Sequence, residues 1–292
     1  AVQAILILGT LGAVAAELQG GNVTLTPTLE YDPITENITD NQQSGTLQSL
    51  EVSLANGTLH GRHGGMHKHG NRVVCYLAAW AKHRPGKGKF TIEDIDATLC
   101  TNLIYCFIGI DEETSKAKSL DTWNDIDQKG FERAVGLKKQ NPDLQVTVGI
   151  GGYAEGPQKF STMAAKPALR KTFIDSMVIF IKEHKFDGLD LDWQFPAEVY
   201  RGGAPEDKEN FVILVKELRQ EFDKHDWLLT TSVTSKESIS NDAYNVKELA
   251  NYLEYIHVLA YDFHGKWDGR TGHNAQLYLG DDKSEAEKTL NA

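Results

Sequence analysis

The sequence predicts an α/β protein, a barrel of parallel strands each followed by a helix, with about six of eight strand–helix units present in its 292 residues. Three observations carry that expectation. Short apolar runs recur at 73–79, 103–110, 145–150, 186–193, 228–233 and 255–261. Longer stretches with helical spacing separate them, and strand alternating with helix implies a parallel sheet. Acidic residues crowd toward the carboxyl end of the fourth run, the end of a parallel barrel at which chemistry sits.

Taken in order, residues 1–16 are apolar and end in Ala13-Val14-Ala15-Ala16, which fits the core and cleavage site of a secretory signal. They lack an initiating Met and a basic start, so the signal reads as incomplete, and the stretch is too short for a membrane span. Residues 17–70 turn to Thr, Asn, Gln, Gly and Glu without periodicity, with no Lys or Arg before Arg62, and read as a disordered leader. The leader holds three N-glycosylation sequons, at Asn22, Asn37 and Asn56. It closes on a tract containing His60, His63, His67 and His69. No acid or Cys completes a closed metal site there, so the tract reads as a Gly-rich linker and no metal site is assigned. Residues 71–292 form the barrel domain.

Within that domain Cys75 begins the first strand and Cys100 precedes the second, and behind a secretory signal the two are expected to pair. Cys106 lies inside the second strand and reads as a small buried hydrophobe. The helix before the fourth strand presents an inward stripe of Leu169, Phe173, Ile174, Met177, Phe180 and Ile181. Phe211, Leu214, Val215, Leu218 and Phe222 make the next stripe, and Asn245 with Glu248 resembles a capping box before the sixth strand. A hydrophobic content of 40% supports a sizeable core. The net charge of −11 argues against nucleic acid or an acidic polymer as partner and suits a neutral ligand such as a polysaccharide.

The fourth run reads D-G-L-D-L-D-W-Q-F-P from Asp187. Side chains alternate in a strand, so Asp190, Asp192 and Gln194 share one face while Leu189, Leu191 and Trp193 share the other. An isolated D-x-D-x-Q is most often a polar face turned to water. Here it follows a long amphipathic helix and precedes Pro196 and a polar loop, which places two acids and an amide on one wall of a site. An amide cannot deliver a proton near neutral pH.

These ten residues resemble the signature of glycoside hydrolase family 18, the chitinases, written D-G-x-D-x-D-W-E followed by an aromatic and Pro. Every position matches except the glutamate, which is Gln194 here. Other stretches carry the same resemblance. V-V-C-Y-L-A-A-W resembles the animal chitinase start C-Y-x-x-x-W, which implies Tyr76 and Trp80 at the cleft. L-Q-V-T-V-G-I-G-G-Y resembles the third-strand motif ending in Gly-Gly and an aromatic, here Gly151, Gly152 and Tyr153, with Tyr in place of the common Trp. Y-I-H-V-L-A-Y-D resembles the family's M-x-Y-D strand with Leu259 for Met, and F-H-G-K-W with Thr271-Gly272 matches the loop that follows.

The resemblance implies a TIM (β/α)8 barrel of family 18 type, truncated before its last two units, and a substrate-assisted reaction without cofactor. In that reaction the substrate's N-acetyl carbonyl attacks the anomeric carbon while the glutamate protonates the glycosidic oxygen. Asp192 would orient the acetamido group, Asp190 would tune Asp192, Tyr261 would bond the N-acetyl carbonyl, and Asp262, Tyr153 and Trp267 would help hold sugar. Cys75–Cys100 pairing recurs in animal members. The expected function is a secreted chitinase-like protein that binds chitin or chito-oligosaccharides with hydrolysis lost or impaired at Gln194. Two alternatives stand beside it: an active endochitinase using Glu198 or Glu155 as its acid, and a growth-factor-like signalling protein with a protein receptor.

Overall fold

The computed structural model describes residues 72–276, together with the backbone of Gln3–Ile7, Val14–Gln19 and Asn22–Leu25. The barrel begins with β1 (Val74–Ala78) and β2 (Asn102–Ile110), on whose end the short β3 (Ala117–Ser119) folds back antiparallel. β4 (Gln145–Gly151), β5 (Gly188–Asp192), β6 (Leu228–Thr234) and β7 (Tyr255–Leu259) follow. Apart from β3 these strands run parallel, each beside the one made before it, as the alternation of apolar runs and helices requires. The sheet curls into an arc of barrel. The Tyr76 hydroxyl on β1 reaches Ser232 Oγ on β6 at 3.0 Å and His257 Nδ1 on β7 at 2.5 Å across the interior.

The helices α1 (Gly130–Gly136), α2 (Gln158–Ala164), α3 (Pro167–His184) and α4 (Asp207–Phe222) cover the outer face. α3 starts on a proline in its first turn, where a missing N–H costs nothing. It buries Phe173, Ile174, Met177 and Ile181, while Leu169 and Phe180 of the expected stripe are only partly covered. All five residues of the α4 stripe are fully buried. Trp193 lies between these layers, stacked on Phe160 at 5.3 Å between ring centroids and edge-on to Phe211 at 5.5 Å. α5 (Glu237–Ala243) and α6 (Val246–Leu249) complete the described helices, and the Asn245 side chain accepts the Glu248 N–H at 3.3 Å as half of a capping box.

The backbone of Gln3–Ile7 runs parallel to β7, with Gln3 beside Tyr255 and Ile7 beside Leu259. Val14–Gln19 and Asn22–Leu25 continue antiparallel from it. These segments fall in the stretches read as a signal and a leader. The sequons at Asn37 and Asn56 and the histidine tract lie outside the described residues. Among the described residues no helix is long and apolar enough to cross a membrane.

Cys75 and Cys100 form a disulfide with their Cα atoms 6.0 Å apart, and Cys106 is free and buried, both as expected. The bond closes a loop with a sequence separation of 25 between β1 and the approach to β2. Closing such a loop in the unfolded chain should contribute about 3 kcal/mol. Urea unfolding of the Cys75→Ser/Cys100→Ser protein should show that loss, with no further change on adding reductant. An unchanged midpoint would mean that native contacts alone hold β1.

Candidate active site

Strand alternation does in space what it implied in sequence. Leu189, Leu191 and Trp193 point out to the helices, while Asp190 and Asp192 point into the barrel. Asp190 is completely buried, and its oxygens are met by side chains from three other strands. Oδ1 accepts the Thr230 hydroxyl at 2.6 Å and lies 3.2 Å from His257 Nδ1. Oδ2 accepts the Tyr76 hydroxyl at 3.1 Å and faces Ser232 Oγ at 3.4 Å. Asp192, one step nearer the strand's end, is also buried, and its Oδ1 accepts the Gln194 side-chain N–H at 2.8 Å.

The two acids differ in support: four side chains stand around Asp190 and one hydrogen bond reaches Asp192. Burial pushes the Asp192 carboxyl up to about 7, the Asp190 charge adds to the rise, and the Gln194 bond opposes it. At neutral pH both forms of Asp192 are therefore populated. Burial, then the Asp190 charge, raises the Tyr76 hydroxyl, so it remains a donor. Tyr261 is pushed up to about 12 by burial and then by the charge of Asp192, which places a protonated phenol within the electrostatic reach of that acid.

The carboxyl end of β4 closes against this wall through its glycines. Gly152 N–H donates to the Asp192 carbonyl at 2.9 Å, and a Cβ on Gly151 (φ +110°) would stand 2.3 Å from that same oxygen. A Cβ on Gly152 (φ +83°) would meet the Phe107 ring at 2.7 Å. Gly151 and Gly152 thus act by allowing close approach rather than by presenting a group. Trp80 stacks on Phe107 with ring centroids 6.0 Å apart and planes 19° apart, and stays half exposed. Tyr153 and Trp267 are exposed beyond the ends of β4 and β7, with Trp267 lying over Gly265. Asp262 is exposed at positive φ and accepts the Asn274 side-chain N–H at 3.0 Å.

Tyr76 is placed beneath Asp190, in contact with β6 and β7, and meets the acid from inside the barrel. Phe107, Thr230, Ser232, His257 and Arg201 were not singled out from the sequence. Thr230 and Ser232 sit two apart on one face of β6, so polar alternation in that strand was the available signal. Phe107 carried none, because an aromatic in an apolar strand reads as core. The two acids considered as substitutes for a missing glutamate are both engaged. Glu198 is buried between Arg201 Nη1, at 3.2 Å, and the Tyr200 hydroxyl. Glu155 accepts the Ile110 N–H at 2.8 Å and Lys159 Nζ at 3.1 Å. Among the described residues no three His, Cys, Asp or Glu side chains gather as a metal site.

Raising a buried carboxyl favours its protonated form in the folded state. Folding then takes up a proton between about pH 4, where a free Asp titrates, and about pH 7. The stability due to Asp192 is full below that window and is lost as pH rises through it. Asp192→Asn should remove this slope, making the variant more stable than the parent at pH 8 by on the order of 4 kcal/mol and little different at pH 4. Urea unfolding across pH checks this, and parallel curves for the two proteins would show that Asp192 titrates normally.

Comparison with known proteins agrees with this geometry. The model of glycosyl hydrolases family 18 matches residues 72–292. Probable chitinase 2 of Drosophila melanogaster is 44% identical over 238 residues, covering 80% of this chain and 47% of that protein. The crystal structure of Ostrinia furnacalis Group IV chitinase in complex with allosamidin superposes with a TM-score of 0.70 at 44% identity, over 75% of this chain and 59% of that one. Human YKL-39, described as a pseudo-chitinase with retained chitooligosaccharide binding properties, superposes with a TM-score of 0.65 at 33% identity, over 75% and 59% of the two chains. The chain spans less than half the length of the curated relatives it matches. Its paired inward acids at the end of β5, on a curled parallel sheet, and the family match over residues 72–292 place the chain in glycosyl hydrolase family 18.

Proposed function

We propose that this protein binds chitin or chito-oligosaccharides in its family 18 cleft and hydrolyses them poorly or not at all, because Gln194 stands where the family has its general acid. The observation that carries this reading is the Gln194 amide itself, buried in the wall and donating to Asp192 Oδ1 at 2.8 Å. An amide has hydrogens to share but none to release at neutral pH. Loss of a positioned acid costs a reaction with a poor leaving group ~10²- to 10⁴-fold.

Binding is a separate matter. Glutamine is nearly the shape of glutamic acid, and its N–H can donate to the oxygen an acid would have protonated. Asp192 with the protonated Tyr261 nearby suits an acetamide group, and Trp80 and Tyr153 offer aromatic faces at strand ends. The pseudo-chitinase relative that retains oligosaccharide binding supports this separation. An active enzyme would need another acid, and Glu198 and Glu155 are held by cations and donors. A pocket kept only as scaffold for signalling would have no need of so many bonds to Asp190. Export belongs to the same proposal, supported by the apolar start, the sequons and the disulfide.

Calorimetry and product analysis on chitohexaose test it. The parent protein should bind without releasing products, and Gln194→Glu should cleave at least ~10²-fold faster. With an aryl glycoside, whose leaving group departs without a proton, the gap between the two should narrow. Equal cleavage of hexamer by parent and variant would place the acid elsewhere. No binding by either would leave a protein partner as the better reading.

A further inference from the structure

The loops that follow β4 and β5 are joined by one guanidinium. Arg201 closes the short turn Val199–Arg201, and its Nη2 donates to the Tyr153 carbonyl at 2.6 Å. Its Nη1 donates to the Gln194 carbonyl at 3.1 Å and to the Glu198 carboxylate at 3.2 Å. The guanidinium carbon lies 4.0 Å from the centroid of the Tyr153 ring. Glu198 is buried, and the Tyr200 hydroxyl donates to its other oxygen, so the acid that aims Arg201 is itself held.

Tyr153 keeps 65% of its surface exposed and follows two glycines at positive φ, a stretch of backbone with little stiffness of its own. An exposed ring on such a segment would lose conformational freedom on stacking against a sugar, and that loss weakens binding. We propose that Arg201 is a positioning residue that removes this penalty: it clamps the Tyr153 ring in a fixed place beside the Gln194 peptide, as a platform for a pyranose of an N-acetylglucosamine oligomer. This rests on the carbohydrate reading above. It also gives Glu198 a part in the cleft that needs no proton transfer. The task suits arginine, whose planar fork can reach two carbonyls and a carboxylate while one face lies on an aromatic ring. A lysine at the same place offers a point charge without the plane.

The test uses the parent, Arg201→Lys, Tyr153→Ala and the double variant. Without sugar, hydrogen exchange should quicken about tenfold or more in Arg201→Lys at the amides of both 153–156 and 197–203, with those of β5 unchanged. In calorimetry with chitohexaose, Arg201→Lys should weaken binding ~5- to 20-fold when Tyr153 is present and less than ~2-fold when it is Ala. Exchange that rises only in 197–203, or losses that simply add between the two sites, would overturn the clamp, since a merely structural arginine would weaken both backgrounds alike. Unaltered hexamer binding by Arg201→Lys would overturn it too, with the carbohydrate reading intact. A parent that binds no hexamer would remove that reading and this one together.

Discussion

A carboxyl group taken out of water must be met by hydrogen bonds, and Asp190 sits at the centre of this barrel with no exposed surface. The solution is a ring of side chains drawn from β1, β6 and β7: Tyr76, Thr230 and Ser232 donate, and His257 Nδ1 stands 3.2 Å away. Those contacts require the strands to curl until they face one another across the interior. They also set the register, because a shift of one residue in β5 would send Asp190 into the apolar layer under α3 and α4 and turn Leu191 inward. The polar inside and the oily outside of the sheet are two results of one alternation.

Asp192 depends on the same constraint and satisfies it less fully. Burial, then the charge of Asp190, raises its proton affinity toward neutrality, and the Gln194 side-chain bond opposes that rise. The identity of residue 194 therefore matters to stability as well as to chemistry. A glutamate there would bring a third ionisable group to a buried wall that already holds two acids, and each added negative charge would push the others toward protonation. The amide instead donates to Asp192 and adds no charge. In this chain the amide at position 194 therefore relieves the site electrostatically.

The segment after β5 is held at several points. Asp207, at the start of α4, accepts the N–H groups of Ala204 at 2.7 Å and Ala197 at 3.3 Å and the Ser161 hydroxyl at 2.7 Å. Arg201 ties the same segment to the carbonyls of Gln194 and Tyr153. A loop anchored in this way presents residue 194 from a firm base, and the geometry of the wall depends on it.

Much of this was legible in the chain because it depends on near neighbours. The period of two put Asp190, Asp192 and Gln194 on one face, the helical stripes of α3 and α4 marked their buried sides, and the alternation of runs required parallel strands. Even the Cys75–Cys100 bond joins elements adjacent in order. What sequence spacing could not supply were partners far along the chain. Tyr76 meets Asp190 across 114 positions and His257 across 181, so its place beneath the acid came only with the curl of the sheet. The engagement of Glu198 and the half-exposed stack of Trp80 on Phe107 came the same way. Periodicity reports which way a side chain points from its own strand, and only closure of the strands around a common interior decides what it points at.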